Sequence, residues 1–279
     1  MILRRDSNIY LSSMNTPDEF MQNLPEELRK IVRGYSWEEN TVGWSESKVF
    51  QLTKDQDILY LKINDVESIF NLEKEKTILN WLIGLLPVPE VVFFEKAKKI
   101  EFLLLSGVKG EVSHTSTTKE EKRRNITILA EGLKKIHSIN PENCPINNNP
   151  DKLLELARRR LEKGKIDPNK FDKRWADKSP EEIFEEMEKI KPKKYDLVFS
   201  HGDYCLPNVL VKDNHLSGII DWPYGGINDR YFDLAAVTWS IGYNYGEEWI
   251  ELFFKEYGIK AIDWDRIHFY QLLNEFFQQ

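Results

Sequence analysis

FSHGDYCLPNVLVKDNHLSGIIDWPYGG, residues 199–226, decides how this chain is read. It sets two aspartates, Asp203 and Asp221, and an asparagine, Asn208, among apolar runs of strand composition. A lone carboxylate is expensive to bury, so the placement asks for a purpose. NVLV and HLSGII flank Asp213-Asn214, which reads as a hairpin turn. HGD follows the strand-like LVFS, so Asp203 lies on a loop held by a rigid element. Asn208 opens one hairpin strand and Asp221 closes the other. A hairpin brings its outer ends together, so these two side chains can face one point. Their oxygens are hard ligands suited to magnesium, and Asp203 beside them can accept a hydroxyl proton. A base that orients a nucleophile and a cation that neutralises phosphate charge together serve phosphoryl transfer. Each residue alone also reads as a turn cap; the triple at this spacing between strands favours chemistry.

The chain is 279 residues long, enough for one large domain or two lobes. At 41% hydrophobic and 30% charged it has the composition of a soluble globular protein. Its net charge of -7 argues against a nucleic-acid partner, whose phosphates it would repel, and weakly favours cationic small molecules. Cys144 and Cys205 make neither a disulfide framework nor a zinc spacing, which suits a reducing cytoplasm. MILRRDSNIYLSS lacks the apolar core of a signal peptide. The most apolar run, WLIGLLPVPEVVFF, is cut by Pro87, Pro89 and Glu90 and is too short to span a bilayer. A cytoplasmic protein without a membrane partner is expected.

The first part is strand-rich. SKVFQLT (47–53) and DILYLKI (57–63) flank the polar turn Lys54-Asp55-Gln56, and EVVFFEK and KIEFLLLS follow later, ending near Ser106. Between them VESIFNLEKEKTILNWLIGLL is helical, with Ile69, Leu72, Leu79, Leu82 and Leu85 near one face and Pro87 as its end. From Thr117 the chain turns helical. A capping box from Thr117 to Glu120 opens one helix; Ser179, Pro180 and Glu182 open another. NPENCPINNNPDK between them reads as a loop, and the stretch from DLAAVTWSIGY onward as aromatic-rich helix. The expected fold class is α+β: a small, mainly antiparallel sheet lobe (1–106) and a larger helical lobe with an inserted hairpin (107–279). Two lobes make a cleft, where ligands commonly bind.

The first lobe supplies further candidates. Lys62 ends the apolar strand ILYLKI, where an inward lysine needs a partner, and the next helix offers Glu73 and Glu75. A strand lysine paired with a helix glutamate holds nucleotide phosphates in kinases. Tyr60 shares the strand face of Lys62 and reads equally as a base-stacking or a core tyrosine. GWSESK carries one glycine, Gly43, so it is no Walker loop, yet backbone and hydroxyls around Ser45 and Ser47 can meet phosphates. The order Asp-x-x-x-x-Asn, then Asp after an apolar strand, is that of protein kinases, with HGD and IIDW standing where those have HRD and DFG. A protein kinase itself is disfavoured: there is no APE-like segment, and the interval from Asp221 to Asp233 is too short for an activation loop.

Together these residues resemble the aminoglycoside phosphotransferases, and within them the 3'-phosphotransferase branch. The resemblance runs from about PEELRKIV at 25 to LLNEFF at 272, with HGDYCLPNVLV and NDRYFDLA as its signatures. It implies Asp203 as catalytic base and Asn208 and Asp221 as magnesium ligands. It implies that Lys62 contacts the phosphates of ATP (GTP is possible), that Glu75 rather than Glu73 partners it, and that Ser45 touches phosphate. Tyr60 would stack on adenine, with backbone groups of Ser106 and Val108 bonding its edge. His201 and Asp233 would brace the catalytic loop. The implied activity is ATP- and magnesium-dependent phosphorylation of an aminoglycoside hydroxyl, hence antibiotic resistance.

The acceptor half departs from that pattern. Pro223 and Tyr224 stand where the family usually has Gly-Arg. Polycationic acceptors call for carboxylates, yet Tyr243 and Asn244 occupy places where relatives carry acids. Asp172, Asp177 and Glu275 remain as acids, with Lys173 and Arg174 intervening and Asn274 and two glutamines nearby. Asp172, Tyr224, Tyr243 and Glu275 are the expected acceptor contacts. Trp222, Trp239 and Tyr245 add to an aromatic, acid-poor picture, with core packing the favoured reading of Trp239. Alternatives are a kinase of a macrolide, choline-like amine or amino alcohol, and a catalytically silent nucleotide- or drug-binding fold.

Overall fold

The computed structural model describes residues 24–40, 47–66, 68–69 and 71–277. They gather into two compact units, one made from the chain up to Asn80 together with Pro89–Gly107, the other from Trp81–Val88 and the chain from Val108 onward. Gly43, Ser45 and the two terminal glutamines lie outside the described residues.

The first unit is a five-stranded antiparallel sheet. Its strands are β1 (Ser36–Glu39), β2 (Lys48–Lys54), β3 (Asp57–Asp65), β4 (Val91–Ala97) and β5 (Ile100–Ser106), in the order β1-β2-β3-β5-β4. The β2–β3 turn works because Asp55 accepts a left-handed φ of 54°. Alternation then sorts the faces: Leu59, Leu61 and Ile63 of β3 enter a core with Phe50, Leu52, Phe102 and Leu104, covered by Leu28 of α1 (Glu26–Ile31). Tyr60 and Lys62 therefore share the other face.

The helix after β3, α2, spans Leu72–Leu82, shorter than its apolar periodicity suggests. Leu72, Leu79 and Leu82 are buried as expected, but Leu85 is 53% exposed, because the helix has ended five residues before Pro87. Its start is fixed by side chains: Leu72 N donates to Glu101 Oε2 at 2.9 Å and Lys74 N to Asn71 Oδ1 at 3.0 Å.

The second unit is mainly helical. α3 (Lys119–Ser138) is capped by Thr118 and Glu121, not Thr117 and Glu120. The run TTKEE holds two overlapping frames of the same motif, which spacing alone does not separate. α4 (Pro150–Glu162) arises inside the region read as a loop: Asn149 caps it and Pro150 takes the first turn, a start signal within a polar run. α5 (Pro180–Ile190) carries the expected Ser179–Glu182 box. β6 (Glu111–Val112) flanks the hairpin of β8 (Val209–Lys212) and β9 (His215–Ile219), in the order β6-β8-β9. β7 (Leu197–Ser200) pairs with β10 (Gly226–Asp229). α6 (Arg230–Asn244), α7 (Ile250–Tyr257) and α8 (Trp264–Asn274) complete it, α8 packing on α6 and α5, and α7 on α3. The class is α+β, as expected. No helix among the described residues is long and apolar enough to cross a membrane.

Candidate active site

The hairpin forms in the expected register. Asp213 and Asn214 take left-handed φ values of 50° and 64°, and Val209 stands opposite Ile219. The ladder continues outward, with Ile220 N donating to Asn208 O at 3.0 Å, so Asn208 adjoins Asp221 across the ribbon. Asn208 Nδ2 donates to Asp203 O at 3.0 Å and to Asp203 Oδ2 at 3.2 Å, which ties the third residue to the same place. The sulfur of Cys205 registers the convergence: burial first, then the charges of Asp203 and Asp221, push its thiol well above its ordinary range.

Buried groups brace this loop. His201 Nδ1 accepts from Asp203 N at 3.2 Å, and its Nε2 lies 3.0 Å from Ile220 O, so one neutral imidazole spans both ends of the cluster. Asp233, wholly buried on α6, accepts from His201 N at 2.9 Å, Gly202 N at 2.7 Å and His137 Nε2 at 2.9 Å. Burial alone would raise the Asp233 carboxyl; the hydrogen bonds from His137 and the Gly202 N–H outweigh it and hold the group below its usual range. Tyr204 adds an anchor, its hydroxyl bonding Leu129 O at 2.9 Å. Gly202 has φ +87°, and a Cβ there would lie 2.3 Å from Tyr224 Cβ.

An amide oxygen on Asn208 and a carboxylate on Asp221, at adjoining strand ends, form a hard-oxygen donor set that fits magnesium. Among the described residues no group of three or more His, Cys, Asp or Glu could hold a metal. A cation here would complete its shell from phosphate and water, as magnesium does.

In the first unit, Lys62 Nζ meets Glu75 Oε1 at 2.6 Å, the glutamate almost wholly buried and the lysine 12% exposed. Glu73 is exposed, so the structure resolves the choice that spacing left open. Tyr60 is half-buried on the same face, its hydroxyl 3.1 Å from Gln51 Oε1. Ser106 N donates to Glu90 O at 2.9 Å, so an adenine contact from Ser106 would come through its carbonyl. Val108 belongs to the second unit, against Gly218.

Beside Asp203 a pocket is lined by Cys205, Arg174, Trp239, Gln271, Asn274 and Glu275. Trp239, which reads as core from its helix position, instead donates from Nε1 to Asp172 Oδ2 at 2.7 Å. Asp172 also accepts from Arg174 Nε at 2.9 Å, and its own N–H donates to Glu275 Oε2 at 2.9 Å. Burial pushes the Asp172 carboxyl up, but the Arg174 and Trp239 bonds hold it below the usual range. Burial raises Glu275 to about 7, against the bond from Asp172 N. Tyr243 is 72% exposed and stacks on Trp239 at 5.1 Å, outside the pocket lining. Two aromatics leave the acceptor picture. Trp222 is fully buried and stacks on Phe199, and Tyr245 is buried, bonding Ser113 O and Asn125 Nδ2. Tyr224 packs at Gly202 and Phe277, and its carbonyl accepts from Asn148. Arg174 and Gln271 in the lining had no signal beyond residue type.

The sequence model described as the phosphotransferase enzyme family matches residues 36–270. An aminoglycoside 3'-phosphotransferase of Niallia circulans is 31% identical over 262 residues, covering 93% of this chain and 100% of that protein. One of Enterococcus faecalis is 35% identical over 258 residues, covering 90% and 97%. The crystal structure of a type VIII aminoglycoside-3'-phosphotransferase matches with a TM-score of 0.83 and 27% identity, over 92% of this chain and 99% of that one. A Streptomyces rimosus aminoglycoside phosphotransferase, solved with ADP and streptomycin, matches with a TM-score of 0.76 and 26% identity, over 89% and 95%. The fold is therefore the two-lobed, kinase-like one expected.

Proposed function

This chain belongs to the phosphotransferase enzyme family, and we propose that it transfers the γ-phosphoryl group of ATP to a hydroxyl of an aminoglycoside, in the manner of the 3'-phosphotransferases it is similar to. The observation that carries the reading is the convergence of Asp203, Asn208 and the strand end at Asp221 through direct hydrogen bonds. Asp203 orients the acceptor hydroxyl and takes its proton as the oxygen attacks phosphorus. Asn208 and Asp221 would hold magnesium, which supplies neutralisation of phosphate charge when bound. Lys62, positioned by Glu75, places a cation against the nucleotide phosphates, which Ser45 also touches, with Tyr60 and the backbone of Ser106 and Val108 assigned to the adenine. Asp203 and Glu275 give the pocket negative charge for an ammonium-bearing acceptor. Catalysis is then mostly positioning and charge stabilisation.

A second reading has its own support. Arg174 lines the pocket and the Trp239–Tyr243 stack lies beside it, which suits a less cationic, more apolar hydroxyl compound. The test is phosphate transfer from ATP to a panel of kanamycin-type, streptomycin-type, macrolide and amino-alcohol acceptors, with products mapped by NMR. Phosphorylation of a kanamycin-type 3'-hydroxyl supports the first reading. Transfer only to macrolides or amino alcohols replaces it with the second, and ATP binding without transfer to any acceptor overturns both.

A further inference from the structure

Apart from the pocket at Asp203, the second unit holds an open cavity of about 630 Å³, a size that suits a small molecule. Its lining carries four cations, Lys134, Arg230, Lys260 and Arg266, against one carboxylate, Asp196. In a chain of net charge -7 this is a local reversal of sign. The arginines are already engaged: Arg230 Nε meets Asp196 Oδ2 at 2.7 Å, and Arg266 lies 3.4 Å from Asp229 and 3.9 Å from Asp263. Lys134 and Lys260 enter no ion pair among the described residues. Lys134 lies beside Gly258, its Nζ 3.9 Å from where a Cβ on that glycine would stand. Two ammonium groups without counter-charges, backed by two arginines in one concave site, make a receptor for a multiply charged anion.

The floor of this cavity is not inert. Tyr257 Oη accepts from Arg230 Nη1 at 2.7 Å, so its own proton goes to His137 Nδ1 at 2.6 Å. His137 Nε2 then donates to Asp233, which holds the backbone of His201 and Gly202. A single hydrogen-bond chain runs from the cavity to the loop that bears Asp203. An anion drawn to Arg230 would compete with Tyr257 and Asp196 for its N–H groups.

We infer that this cavity is a second binding site, specific for a small polyanion of the phosphate class and separate from the nucleotide-phosphate pair at Lys62. The probe is pyrophosphate, titrated calorimetrically without magnesium into wild type, Lys134→Glu/Lys260→Glu and Lys62→Ala. Both cavity lysines are exposed, so the double variant keeps the wild-type melting temperature and basal phosphate transfer. The site predicts binding to wild type and to Lys62→Ala, and at least a tenfold loss in the double variant. Should charge reversal disturb the fold, Lys260→Gln alone reads the same loss at about threefold. No binding to wild type, loss confined to Lys62→Ala, or unchanged affinity in the cavity variants overturns the inference.

Discussion

Residues 201–208 and the pocket around 172, 239 and 275 lie side by side but are built differently. In the first, the loop's own His201 imidazole and Tyr204 hydroxyl and the buried Asp233 carboxylate of α6 tie the loop down, and the geometry follows from the buried bonds they make. In the second, Arg174 and Asn274 stand beside acids, one acid is held ionised and the other is raised to about 7. The loop's geometry rests on buried bonds, whereas the pocket's character rests on which of its acids carry charge.

The sharpest break of this contrast is Asp203→Asn. It should lower turnover roughly 10²- to 10⁴-fold, the range for a lost general base, with acceptor KM and melting temperature near wild type. Near-normal turnover would remove Asp203 from the chemistry. Lys62→Ala should lower kcat/KM for ATP by roughly 10- to 100-fold, as for one charge-assisted contact, and leave acceptor KM unchanged. Steady-state kinetics at varied ATP check this, and the combined Lys62→Ala/Glu75→Gln variant should lose little more than Lys62→Ala.

Much of the chemical half was legible because its signal is local. HGDYCLPN and IIDW carry their spacing in the chain, and Asp213-Asn214 names its own turn. Lys62 announced a need for a partner, though the choice between Glu73 and Glu75 depended on helix phase. What was hidden depends on contacts far apart in sequence. Glu101 caps α2 from 29 positions away. Trp222 looks like a site aromatic until Phe199 and His201 close over it. Trp239 looks like core until its indole finds Asp172. Hydrophobic periodicity carried α2 past Leu82, because it counts apolar residues and not where the backbone stops bonding.

Two smaller effects sharpen the comparison. Gly202→Ala puts a methyl 2.3 Å from Tyr224 Cβ at a left-handed φ and should cost roughly 1–3 kcal/mol of stability by denaturant unfolding; adding Tyr224→Ala should not recover it, because the Cβ and backbone atoms that the methyl meets remain. For Glu275 the sign runs against stability at high pH. Raised from 4.5 to about 7 on folding, it binds its proton more tightly when folded. Its contribution is therefore full below about 4.5, falls between about 4.5 and about 7, and is flat above. Glu275→Gln should remove that slope from a plot of unfolding free energy against pH, and at pH 8 should bind cationic acceptors more weakly.

The claim that Asp203, Asn208 and Asp221 act at one point is tested most directly by the magnesium dependence of phosphate transfer in Asp203→Asn, Asn208→Ala and Asp221→Ala. The account predicts that half-saturating magnesium rises at least tenfold in the last two, while Asp203→Asn keeps the wild-type value at its reduced rate. Wild-type magnesium dependence in Asn208→Ala and Asp221→Ala would contradict it.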